Sequence, residues 1–216
     1  MIPDIYIDNV SMLSVGWVRE NIEFPVPESQ METVVVPGRN TPIRFSEALG
    51  MVSLKPRAFT ITLSMLGTRS QFDAQVLTAS NKYAGRLCKV RTSEEPNLYA
   101  VGTLQLTLSY DPLTGKGQLV MECTDGDSYR YHADMTEIVQ TGSGTVILKN
   151  DYMPVVPTVI TTADTTLSWK VGTDTFNKTL STGEWEIPEL QLFYGNNSVK
   201  VTSTGDTTFR YREGCL

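Results

Sequence analysis

Any histidine-based acid–base or nucleophilic chemistry in this 216-residue chain has to run through His132, the single histidine it contains. The serines, threonines and carboxylates near it in sequence fall in no nucleophile-elbow pattern such as G-x-S-x-G. The expectation is a surface or boundary histidine without a catalytic role. Asp125-Gly126-Asp127 has the outline of a calcium loop but lacks the further oxygen ligands and the closing glutamate that such a loop needs, so it reads as a turn. Glu184 and Glu186 could in principle flank a glycosidic bond. Two apart on an extended stretch, with Trp185 pointing the other way, they share one face and do not straddle a cleft. Trp169, Trp185, Tyr194 and Tyr211 have the ring surfaces to stack on a sugar, and equally the size to fill the core of a small sandwich. Cys88, Cys123 and Cys215 are odd in number and widely spaced with no C-x-x-C, which predicts inert thiols in a reducing cytoplasm, no disulfide framework and no zinc site. No glycine-rich phosphate loop or basic stripe is present. Neither a cofactor nor a metal is expected, and no enzyme activity.

Composition narrows the partners. A formal charge of −6 and a pI near 4.9 argue against gripping phosphate backbones, which takes a basic surface, although an acidic protein can let nucleic acid pass without sticking. Hydrophobic residues make up 40% of the chain, enough to bury a core. No apolar run approaches the roughly 20 residues of a membrane span. The N-terminal MIPDIYIDNV carries Asp4 and Asp8 where an export signal would carry basic residues, and reads as a strand.

The elements follow from periodicity. From Arg57 to Met65 the sequence alternates, with Phe59, Ile61 and Leu63 on one face and Thr60, Thr62 and Ser64 on the other, the mark of a half-buried strand. One helix is predicted after it, capped by Ser70 and carrying the stripe Phe72, Val76, Ala79, Tyr83 and Leu87, with Gly85 ending it in a left-handed turn. Leu98 to Tyr110 reads as one long strand. The Glu23 to Glu32 stretch, with Pro25 and Pro27, reads as an exposed loop or an edge segment, Pro37-Gly38-Arg39-Asn40 as a turn, and Ala48-Leu49 as an apolar pair beyond it. Beyond a linker-like Gln140-Thr141-Gly142-Ser143-Gly144, some seven short strands predict a small β-sandwich. It closes in a meander: Pro188 to Tyr194, a turn at Gly195-Asn196-Asn197, Ser198 to Thr202, a turn at Ser203 to Asp206, then Phe209 and Tyr211. The fold class is mainly β, in two β-sandwich-like domains, the first with one amphipathic helix. The boundary gives domains 1–137 and 138–216.

Three stretches carry a resemblance to a known family. They are the V-x-V-P-G-R turn at Val34 to Arg39, the strand RAFTITLSM leading into the helix from Ser70, and the ending P-x-L-x-L-x-x-G-x-N-x-V-K-V from Pro188 to Val201, closed by FRYR. In that order the chain resembles the distal tail protein (Dit) of siphophages. The resemblance implies an N-terminal belt domain that forms a ring, a hexamer in the family, joining the tail tube protein to the tail-associated hub protein, with DNA passing through the lumen. It implies a C-terminal galectin-like domain, which in many phages carries receptor-binding or baseplate components. The location implied is the virion tail tip, after assembly in the host cytoplasm. Ring-interface candidates are the Pro25 to Glu32 loop, Val36, Pro37, Gly38, Arg39, Arg44 and Arg57, the arginines meeting acidic residues of a neighbour. The sugar-contacting set of true galectins is not matched. A carbohydrate-binding module for host cell-wall glycan, using Trp169 or Trp185, stands as the alternative, with a glycoside hydrolase behind it.

Overall fold

In a computed structural model the chain is mainly β, and it divides into two compact units between Arg130 and Tyr131. The structure describes residues 2–30, 32–35, 37–38, 40, 43–45 and 52–216; Val36, Arg39 and the pair Ala48-Leu49 lie outside them. The first unit contains strands β1 (Ile5–Ile7), β2 (Val10–Ser11), β3 (Val18–Glu23), β4 (Glu32–Val34), β5 (Ile43–Phe45) and β6 (Arg57–Leu66). Helix α1 (Arg69–Tyr83) follows, then β7 (Leu87–Thr92), β8 (Leu98–Thr103), β9 (Gln105–Asp111) and β10 (Lys116–Gly126).

The alternation read from Arg57 onward is realised in β6, where Phe59, Ile61 and Leu63 are buried and the intervening threonines and Ser64 are not. β6 lies between β3 and β10, with β9 beyond β10, while β2, β1, β7 and β8 run side by side in that order. Ile5, Ile7, Trp17, Val90, Leu104, Leu119 and Met121 join the β6 residues in one core, each large side chain contributing on the order of 1.5–3 kcal/mol by leaving water. Leu98 to Tyr110 is two strands: Leu104, fully buried, divides the run, its N–H bonding to Arg86 O and its carbonyl accepting from Gly85 N. The strand on one side of it belongs to one sheet and the strand on the other side to the second.

The cap of α1 is Thr68, not Ser70. Thr68 Oγ1 accepts from Gln71 N while the Gln71 side chain accepts from Thr68 N, a reciprocal capping box that the sequence reading missed. Phe72, Ala79 and Tyr83 form the buried stripe and Val76 packs beside it; Leu87 has left the helix for β7, where it is exposed. Phe72 lies against the backbone of Gly117, where an added Cβ would sit 2.1 Å from its ring, so the helix docks on β10 only because residue 117 has no side chain. Tyr110 completes the contact, its ring 5.3 Å from that of Phe72 and its hydroxyl donating to Gly67 O at 2.9 Å.

β11 (Arg130–His132) spans the division. The second unit then holds β12 (Thr136–Thr141), β13 (Gly144–Asn150), β14 (Thr158–Thr161), β15 (Thr165–Val171), β16 (Asp174–Leu180), β17 (Gly183–Glu186), β18 (Gly195–Ser203), β19 (Asp206–Tyr211) and β20 (Gly214–Cys215). Two four-stranded antiparallel sheets, ordered β12-β19-β14-β17 and β13-β18-β15-β16, enclose a core that includes Leu148, Val159, Leu167, Val201 and Phe209. The stretch expected as a linker is a tight connection between these sheets: Gln140 and Thr141 end β12, Gly142 takes φ +66°, and Gly144 opens β13. The division at 130/131 lies ahead of the expected 137/138, and β12, from Thr136, pairs with β19 inside the second unit.

Two parts of the expected meander also differ. Pro188 to Tyr194 forms a turn and a single bridge between Leu192 and Val155, not a full strand. Gly195-Asn196-Asn197 is strand, paired with Asn150, Lys149 and Leu148. Its asparagine supplies the turn chemistry sideways: Asn197 Oδ1 accepts from Phe193 N and its Nδ2 donates to Phe193 O, closing the loop before the strand.

Candidate assembly surfaces

Between β3 and β6, the strands β4 and β5 belong to neither of the two packed sheets of the first unit, and the chain flanking them forms a base tied by a short ladder. Gln30 N donates to Ser53 O at 2.7 Å, Lys55 N to Glu28 O at 2.8 Å, and Ser29 bridges Leu54. The Lys55 ammonium sits 2.7 Å from Glu28, which lowers the carboxyl pKa of that exposed glutamate. Phe24 stacks on Phe59 at 4.7 Å and so fixes where the chain departs from the core.

Arg57 locks the same base from within. It is 2% exposed, and its guanidinium donates to Pro25 O at 2.8 Å and to Ser128 O at 3.1 Å. The sequence placed Arg57 among arginines facing a neighbour. Burial reverses that expectation: both of these bonds are made inside its own chain, where the fork geometry of a guanidinium suits two separate carbonyls.

Beyond the base, β4 and β5 form a two-stranded antiparallel ribbon, Glu32 opposite Phe45, Thr33 opposite Arg44 and Val34 opposite Ile43. Among the described residues it pairs with no other strand. Val34 and Val35 are 48% and 76% exposed. Pro37 and Gly38 are exposed at the turn, and Gly38 holds φ +84°, a conformation that favours glycine. Of the ring-interface candidates, Pro37, Gly38 and Arg44 thus lie on this arm, Val36 and Arg39 lie outside the described residues, and Arg57 lies beneath it. An isolated ribbon is marginal in water and gains stability by packing on something else. Arm and exposed valines together have the properties of a docking element.

The second surface is the outer face of the sheet β3-β6-β10-β9. Thr60, Thr62 and Ser64 on β6 and Gln118 on β10 occupy it, with Glu23 at the β3 edge and Glu122 on β10. Lys116 is tied to Glu20 at 2.5 Å, and this bond, ahead of the Gln118 and Ser64 contacts, holds the glutamate pKa down. The face carries hydroxyls and carboxylates beside Val18 and Val120, and among the described residues its lysine, Lys116, is already paired.

In the second unit the four aromatics proposed as a glycan platform divide. Trp169 and Tyr211 are core, 5% and 2% exposed, with Trp169 Nε1 donating to Glu189 O and the Tyr211 hydroxyl to Lys149 O. Burial raises the Tyr211 pKa to about 12. Trp185, on the edge strand β17, and Tyr194 remain exposed. A platform from that set is therefore not formed. Glu184 and Glu186 both face solvent on the same edge strand, opposite Ile160 and Thr158.

No family model matches this chain, and none of the curated proteins matches it. Among solved structures it is similar over its whole length to the crystal structure of the Dit protein (gp 19.1) of SPP1, described as a paradigm of the hub adsorption apparatus in phages that infect Gram-positive bacteria. The TM-score is 0.73 at 15% identity, covering 100% of both chains. At that identity the likeness establishes a shared fold.

Proposed function

We propose, from the fold it shares with Dit along its entire length, that this chain is a structural protein of a siphophage tail tip. It forms a ring, a hexamer by the family resemblance, that joins the tail tube to the hub and lets DNA through; it is not an enzyme. The first unit is the belt domain and the second the galectin-like domain. The β4–β5 arm carries the ring contact, its exposed valines packing on the adjacent copy in a heterologous interface that closes by rotation. The outer face of β3-β6-β10-β9 is turned to the lumen, where its carboxylates repel phosphate and Lys116, already paired, does not hold it.

The observation that supports this reading is the agreement of fold over 100% of both chains. Gold-conjugated antibodies against the purified chain test it on virions that encode the protein. Label confined to the tail tip is the expected result. Label on the capsid or along the tail tube would overturn it.

A further inference from the structure

The three side chains that the fold of the second unit gathers are His132, Asp151 and Cys215, far apart in sequence. A ring nitrogen of His132, a carboxylate oxygen of Asp151 and the Cys215 sulfur all lie within 4.8 Å of one another. His132 Nε2 is 3.0 Å from Asp151 Oδ2. A tetrahedral zinc with bonds of about 2.0–2.3 Å spaces its ligand atoms by roughly 3.3–3.7 Å. The cluster is therefore close to the ligand spacing that a tetrahedral ion requires.

The backbone around it is already fixed. His132 N donates to Glu213 O at 2.9 Å and Met153 N to Gly214 O at 2.9 Å, so the three segments bearing the ligands are held side by side. Arg212 Nη1 donates to the carbonyls of His132 and Ala133 at 2.5 and 2.7 Å, which seats the histidine from behind. Asp151 Oδ1 accepts from Tyr152 N at 2.9 Å, leaving Oδ2 to face the imidazole. Outer contacts of this kind orient metal ligands. The His132 and Asp151 side chains are 36% and 33% exposed, so water can fill a fourth position.

We propose that His132, Asp151 and Cys215 form a zinc-binding site with one open coordination position. The set suits a borderline divalent ion: thiolate and imidazole together select zinc over magnesium or calcium, and three protein ligands are the minimum that zinc sites use. On binding, the Cys215 thiol proton goes to solvent, and the imidazole keeps its proton on the ring nitrogen that does not meet the ion. The site joins β11, the segment after β13 and β20.

The remaining two thiols make the test selective. Cys88 and Cys123 are each 1% exposed, and burial raises both to a pKa of about 11, so in the native protein an alkylating reagent reports on Cys215. The full chain is treated with iodoacetamide with added zinc chloride or with a chelator, and modification of each cysteine is followed by peptide mass spectrometry. Zinc should slow modification of Cys215 by about tenfold or more, saturating at one ion per chain, because a coordinated thiolate is no longer a free nucleophile. His132→Gln and Asp151→Asn should each lose most of that protection while keeping the circular dichroism of the parent. Unchanged alkylation of the unsubstituted chain at saturating zinc would overturn the proposal without recourse to any variant. So would full protection in both variants, which would mean zinc held by the lone thiol.

Discussion

Replacing Arg57 with methionine will destabilise the first unit by about 3 kcal/mol and lower its urea midpoint by roughly 1.5 M. Methionine fills comparable space without a charge, so the loss reports the bonds and not a cavity. Removing the guanidinium takes the donor from Pro25 O and from Ser128 O, which lie at opposite ends of the unit's sequence. Charge-assisted bonds of this type contribute about 1.5–3 kcal/mol each. Arg57→Lys should recover only part of the loss, because one ammonium does not span both carbonyls. The consequence extends to assembly. Pro25 begins the base of the β4–β5 arm, so the variant should also release the Glu28–Lys55 ladder, seen as faster amide exchange at Gln30 and Lys55. An unchanged midpoint for Arg57→Met would show that the buried guanidinium contributes nothing to the arm's footing.

Substituting Val34 and Val35 together with aspartate will leave the monomer folded and abolish the ring. Both side chains are exposed in the isolated chain, so neither substitution opens a core. In the ring each adjacent pair of copies would lose two buried valines, worth about 1.5–3 kcal/mol apiece, and would have to bury two carboxylates in their place. A deficit of 5 kcal/mol or so per interface weakens association by more than about a thousandfold. Sedimentation of the double variant should show one species at the mass of a single chain, with the circular dichroism of the parent. Rings that persist would remove the arm from the interface and direct attention to the sheet edges β3 and β9.

Local periodicity explains which parts of this fold were legible from sequence. The alternation in β6 and the three-and-four spacing of Phe72, Ala79 and Tyr83 each determine a face without reference to anything distant. Where the reading failed, a distant partner decided. Leu98 to Tyr110 looks like one strand, yet at Leu104 the chain passes from the sheet of β8 to that of β9, so its two halves have different partners. Gly195-Asn196-Asn197 has turn composition, but β13 lies alongside and claims its backbone, while the Asn197 side chain closes the preceding loop. Gln140 to Gly144 looks like a linker because a sharp passage between two packed sheets needs the same small and polar residues.

The functional features divide in the same way. Pro37-Gly38 was readable as an exposed turn from its residues alone. That Arg57 is buried was not, since nothing in RAFTITLSM distinguishes an arginine bound to Pro25 and Ser128 from one facing solvent. The His132, Asp151 and Cys215 grouping was equally invisible, because its members lie on three segments joined only when β11 meets β20 and the chain after β13. Cysteine spacing bears on a local zinc motif and has no bearing on an assembled one. The glycan platform was weakened by the opposite effect: Trp169 and Tyr211 have the right chemistry, and the sandwich core buries both.

The ring is the central claim, and the mass of the purified chain in solution by light scattering, with negative-stain imaging of the same fraction, tests it most directly. The account predicts annular particles of about six copies of the 24.0 kDa chain. A 24.0 kDa monomer at every concentration, with no annulus in the images, would contradict it.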